Sequence, residues 1–195
     1  MIDFSEYSGP MTLAFSNRYT IDDLRTTISE NYDKLQTLVE SLSNEQVLYE
    51  PFDDEANDPY ATQTEDRTIG WSIAHLVLHV TASLEESSAV SSLLARNVSP
   101  EPGTRFRFEP KWRIISDKAE VLHRLAESRR MCLAYLDTWP DVPYLDNLRQ
   151  YPEGSPLAKA ETNAIGSMLG GLRHWHNHTD QFNRVAEQAR TATTA

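Results

Sequence analysis

Positive charge is in short supply in this sequence: 18 Lys and Arg stand against 29 Asp and Glu, a net charge of −11 at neutral pH. A surface of that sign repels phosphate backbones and anionic headgroups, so nucleic-acid and membrane partners are disfavoured. Cysteine is nearly absent. Cys132 has no second cysteine to pair with, which excludes an intrachain disulfide, and no G-x-C-x-G-like setting marks it as a nucleophile. A buried structural thiol is its expected role. No apolar run approaches the ~20 residues that span a bilayer. The opening MIDFSEYSGP has neither a basic n-region nor an apolar h-region, so a soluble, cytoplasmic protein is expected. Internal repeats and composition shifts are missing too, which favours one domain over residues 1–195 with a small polar tail, TATTA, expected to fray.

The 39% of hydrophobic residues is enough for one core, and helical spacing organises most of them. Leu24, Ile28, Tyr32, Leu35, Leu38, Val39 and Leu42 recur at intervals of three and four, and Thr20 with Asp23 resembles a capping box, predicting a first helix over 20–42. Ile73, Leu76, Val77, Val80 and Leu84 form a second stripe that continues less cleanly to Leu93 and Leu94; with Ser72 as cap it predicts a helix over 72–96. A long crossover follows, with Thr104 to Lys111 extended. Ser116 is placed to cap a third stripe of Leu122, Leu125, Cys132, Leu133 and Leu136, which stops before Trp139-Pro140. After a loop with four prolines, a fourth long helix is predicted from about Pro156 through Ile165, Met168, Leu172, Trp175, Phe182 and Val185. Four such helices without a strand signal make an all-α four-helix bundle. Residues 50–67 carry seven acids and one base and read as a solvated connection, since they lack the ligand spacing of a calcium loop.

Five of the six histidines fall in two groups, His75 and His79 on the second helix and His174, His176 and His178 on the fourth. His174 and His178 are four residues apart, a spacing that brings two imidazoles to one cation. Residue 176 is turned about 200° from either neighbour. Trp175, Phe182, Val185 and Ala189 share the face of His178, which therefore looks toward the core, and a buried imidazole needs a partner. Two imidazoles underligate a divalent ion, so a third ligand should come from the second helix. His79 lies roughly 120° from the centre of the apolar stripe there and His75 roughly 160°, which leaves the choice open. A metalloprotease is ruled out because Trp175 stands where H-E-x-x-H needs its general base. His123 is isolated and reads as a packing or surface residue, and Arg173 and Asp180 read as solvated neighbours of the motif.

Trp71-Ser72 opening the second helix, His79 eight residues after Trp71, and His174-x-x-x-His178 followed by Gln181 together resemble the DinB-like superfamily. That resemblance covers most of the chain. It implies an up-down-down-up bundle in which His79, His174 and His178 bind a divalent metal ion, with zinc, nickel and iron all compatible with three imidazoles. Enzymes of that family include bacillithiol and related thiol S-transferases, mycothiol-dependent maleylpyruvate isomerases and the metal-binding domain of sulfoxide synthases. The expected function is thus a metal-dependent transferase joining a low-molecular-weight thiol to an electrophilic small molecule. The alternative is a non-catalytic metal or small-molecule binding protein, such as a stress-related homodimer.

Overall fold

A computed structural model describes residues 2–7, 9–54, 56–58 and 64–193. Among the described residues seven α-helices follow in chain order: α1 (Leu13–Ser16), α2 (Ile21–Glu40), α3 (Asn44–Leu48), α4 (Ile73–Ala95), α5 (Lys118–Asp137), α6 (Ala164–Asn177) and α7 (Thr179–Thr193). Single 3-10 turns lie at Thr64–Thr68 and Trp112–Ile114, and the described residues contain no strand. The architecture is all-α, as the periodicity implies. No helix among the described residues is long and apolar enough to cross a membrane.

Local chemistry sets the helix starts. Thr20 and Asp23 form a reciprocal capping box on α2, in which the Asp23 carboxylate accepts from Thr20 N–H at 2.8 Å. Ser72 caps α4 by accepting from His75 N–H. On α5 the expected cap is corrected: Asp117, not Ser116, accepts from Glu120 N–H at 2.9 Å, while Ser116 N–H donates to the Glu120 carboxylate. A carboxylate at the helix start also opposes the helix dipole, an advantage a serine lacks.

The fourth helix differs from its predicted form at two points. Residues 156–159 make successive turns, with Ala158 N–H donating to Ser155 O and Ala160 N–H to Leu157 O, residues 160–163 are irregular, and the helix starts only where Asn163 accepts from Gly166 N–H. Pro156 suits the first turn of a helix, but the Asn163 cap and the bond from Glu161 N–H to Met11 O hold the chain out of helix until residue 164. Further on, His178 caps α6 at φ −92° and ψ −3°, and α7 starts at the next residue. Phe182 N–H still donates to His178 O at 3.0 Å, so the interruption lasts one residue and His174 and His178 stay on one face. Residues 191–193 belong to α7; residues 194 and 195 of the tail lie outside the described residues.

Three sets of contacts establish the helix directions. Arg25 meets Asp137 at 2.5 Å and Arg129 meets Asp33 at 2.6 Å, so α2 and α5 are antiparallel. Ser91 donates to Ala164 O and Ser167 to Ser87 O, so α4 and α6 are antiparallel as well. Arg124 bonds Thr81 while Ser92 bonds Thr138, which makes α4 and α5 parallel. The connection between that parallel pair has to return along α4.

Helix α4 packs against both α5 and α6, and 16 of its 23 residues are buried. That position explains why its apolar stripe drifts: a helix enclosed on most sides has little amphipathic pattern to show. Its hydroxyls are satisfied internally, Thr81 and Ser88 donating to Val77 O and Leu84 O at 2.7 Å. On the α2–α5 side, Tyr32 hydroxyl lies 2.7 Å from Ser128 Oγ and 3.6 Å from Cys132 Sγ. Cys132 is fully buried, and burial pushes its thiol up to about 11. A protonated, enclosed sulfur is a packing group.

The acidic connection is more structured than a solvated loop where it is described. Asp66 is mostly buried against Arg113 at 2.6 Å, and Glu50 reaches the same guanidinium at 3.4 Å. Glu55 and residues 59–63 lie outside the described residues.

Helix α6 lies tight against α4 at Gly171, where an added Cβ would lie 2.7 Å from both Cβ and Oγ of Ser87. One position earlier, a Cβ on Gly170 would meet nothing within 4 Å. Gly170→Ala should therefore stabilise the protein by up to about 1 kcal/mol through helix propensity. Gly171→Ala should instead destabilise it, because forcing an extra methyl into a packed interface costs about 1–3 kcal/mol. Urea unfolding of the two variants checks the contrast; equal midpoints would show that α4 and α6 separate freely at this contact.

Candidate metal centre

Three elements converge at the N-terminal end of α4. His79 comes from α4, His174 from the last turn of α6, and His178 from the α6–α7 junction. One ring nitrogen of each lies within 4.8 Å of the other two, and ring centroids are separated by 4.8 to 5.0 Å. These are the three histidines singled out from the sequence, and this group could hold a metal ion.

Hydrogen bonding shows which nitrogens face inward. His178 Nδ1 lies 2.7 Å from Gln181 Oε1, an acceptor, which calls for a proton on Nδ1 and leaves the Nε2 lone pair free. His79 Nδ1 is engaged by the crossover, at 3.4 Å from Glu109 Oε1 and 3.1 Å from Arg107 Nη2. His174 Nε2 is buried with no hydrogen-bond partner. A buried orphan nitrogen costs about 1–3 kcal/mol. A cation bound by His174 Nε2 and one nitrogen of each neighbouring imidazole removes that cost, so the donor set fits a divalent metal.

The electrostatics agree. Burial, reinforced by the other imidazoles and Arg107, pushes His174 down to about 3, and burial likewise lowers His178. Both are neutral at ordinary pH, the form that ligates. Glu109 is held down at about 2, since its hydrogen bonds to His79 and Arg107 and the charge of the guanidinium outweigh the burial that would raise it.

Aromatic rings close one side. Trp71 lies 4.6 Å from the rings of both His75 and His79 and 6.0 Å from that of His178. His75 is sandwiched between Trp71 and Trp112, at 4.6 and 5.1 Å, and burial pushes it down to about 4. It is outside the converging group, so His79 is the α4 residue that joins His174 and His178. His176 is exposed and leans on Phe4 at 5.5 Å, and His123 is exposed on α5. Arg173 is not simply solvated: it donates to Gly9 O at 3.0 Å and stacks over Tyr7, pinning the N-terminal segment. Asp180 is exposed.

Arg107, Glu109 and Trp112 carry no motif in the sequence. The available signal is the alternation Arg105-Phe106-Arg107-Phe108-Glu109 in an extended segment, which places its charges on one side. That side faces α4, where Arg105 pairs with Glu86 and Arg107 donates to Ser83.

A profile of the DinB superfamily matches residues 27–182, which is 156 of the 195 residues, and the chain belongs to that superfamily. The matched span includes all three histidines. No curated protein and no solved structure matches the chain.

The buried imidazoles make stability depend on pH in metal-free protein. His75, His174 and His178 have folded pKa values below the unfolded value of 6.5, so the unfolded chain takes up protons first as pH falls. Their contribution is complete above about 6.5 and is lost progressively toward pH 4 and below. Chelator-treated protein should show a unfolding midpoint that falls steadily from pH 7 to pH 4, and a flat profile would contradict the neutral, buried state of these rings.

Proposed function

We propose that this DinB-superfamily protein holds a divalent metal ion on His79, His174 and His178 and acts as a transferase that joins a low-molecular-weight thiol to an electrophilic small molecule. The observation that carries the reading is the unpartnered, buried Nε2 of His174, set among two other imidazoles whose Nδ1 atoms are already engaged. The converging group contains three imidazoles, a donor number that leaves a coordination position for another ligand. A bound divalent ion would supply the stabilisation of thiolate over thiol that makes sulfur nucleophilic.

The chain's own residues account for the rest. His79, His174 and His178 enter as neutral donors, and Gln181 and Glu109 orient two of them from behind. Trp71, His75 and Trp112 present stacked rings beside the ligands and exclude water from that side. Cys132 contributes no sulfur to the reaction, because it is fully buried between α2 and α5 with its proton firmly held.

His79→Ala, His174→Ala and His178→Ala should each lose most of the metal found by elemental analysis of untagged protein. His75→Ala and His176→Ala should retain it. In the thiol assay, wild-type protein and Cys132→Ser should both consume thiol in the presence of monochlorobimane, and His178→Ala should not. Metal retained in His174→Ala would remove the ligand assignment. Metal bound without turnover of any thiol would instead favour the non-catalytic binding role.

A further inference from the structure

His79 differs from its two partners in having two opposed neighbours at one nitrogen. Arg107 Nη2 stands 3.1 Å from Nδ1, and Glu109 Oε1 stands 3.4 Å from the same atom. A guanidinium can only donate, so a bond from Arg107 requires a bare Nδ1 and places the imidazole proton on Nε2. In that tautomer the Nε2 lone pair is gone and the ring cannot ligate toward His174 and His178. A carboxylate can only accept, so a bond to Glu109 requires Nδ1–H and frees Nε2. The two residues also bind each other through Arg107 Nη2 and Glu109 Oε2, and Arg107 is further tied to Ser83 Oγ and, at 3.2 Å, to His79 O. Both are largely buried, so water does not replace either contact freely.

We infer that Glu109 is a positioning residue that selects the ligating tautomer of His79, and that Arg107 is the competing donor which Glu109 restrains. This rests on the metal-binding reading above. Glu109 lies outside the converging nitrogen group and acts through His79, not as a ligand. It also offsets the positive charge of Arg107, which would otherwise repel a cation at the site. Gln181 does the same work for His178 with a neutral acceptor. The Arg107 guanidinium is within hydrogen-bonding distance of His79 Nδ1, and there the acceptor is a carboxylate.

The test is the dissociation constant for zinc ion, by competition with a chromophoric chelator, in wild-type, Glu109→Ala, Glu109→Gln and Glu109→Ala/Arg107→Gln proteins. Loss of an outer-shell partner typically costs about 10–100-fold in metal affinity, and Glu109→Ala should fall in that range. Glu109→Gln keeps an acceptor and should lose less. The double variant should recover part of the loss, because the competing guanidinium is gone. Equal weakening in Glu109→Ala and the double variant, or no weakening in Glu109→Ala, overturns the inference while leaving the metal-binding reading intact. Failure of wild-type protein to bind zinc or any other divalent ion overturns that reading itself. Should Glu109→Ala fail to fold, nitrogen-15 spectra of the zinc-loaded wild-type protein decide the matter. Ligation by His79 through Nε2 with Nδ1 protonated supports the assignment, and ligation through Nδ1 overturns it.

Discussion

The contact between Gly171 and Ser87 governs how near α6 can come to α4, and the convergence of the three histidines depends on that separation. Imidazoles on two helices at the ordinary 8–10 Å interaxial distance reach a shared point only if the axes are held close and in register. Here the register is held by hydroxyls that bond across the interface, Ser91 to Ala164 O and Ser167 to Ser87 O, and the spacing by the missing side chain at Gly171. His174 follows Gly171 by one turn and His178 by two. The one-residue interruption at His178 then lets α7 start afresh without turning that ring off the shared face.

Neutral imidazoles explain how three basic side chains can be packed within 4.8 Å of one another. Protonating His174 or His178 places a charge in a half-buried site beside Arg107, and the folded state resists it, most strongly at His174. The arrangement exchanges solvation of the rings for readiness to ligate. Its residual cost is concentrated on one atom, His174 Nε2, because Gln181 and the Arg107–Glu109 pair satisfy the outer nitrogens of the other two. A folded protein tolerates one such orphan more readily when a ligand is available to satisfy it.

Much of this was legible in the sequence, and the misses have particular causes. Thr20 with Asp23, and Ser72, are strong local signals, and the starts of α2 and α4 fall where those residues place them. The start of α6 was obscured because Pro156 suits a helix start while the actual cap, Asn163, sits inside an apolar pattern that continues on both sides. The pair His174 and His178 could be read from spacing alone. The choice between His75 and His79 could not be read from angles on α4, since a helix buried on most sides gives both residues an inward direction. What separates them is their neighbours: two indoles enclose His75, whereas His79 opens toward α6. The role of residues 105–112 was hidden for a different reason, because an extended segment acquires meaning only from the helix it lies against.

That last point links the topology to the chemistry. Helices α4 and α5 run parallel, so the chain that joins them must travel back along α4, about 34 Å at the helical rise of 1.5 Å per residue. A short turn cannot make this connection. The returning segment contacts Glu86, Ser83, His79 and His75 in order, through Arg105, Arg107, Glu109 and Trp112. Any bundle with this pair of parallel neighbours brings a stretch of irregular chain past the end of α4 where the histidines lie, and irregular chain can change sequence with little effect on the core. His79 and His174 sit on helices whose packing is constrained and His178 at the junction of two, while the residues that contact His79 from the crossover sit on a segment that is not. Differences in metal affinity or substrate among proteins built this way would therefore arise most easily in the crossover, with the ligands themselves unchanged.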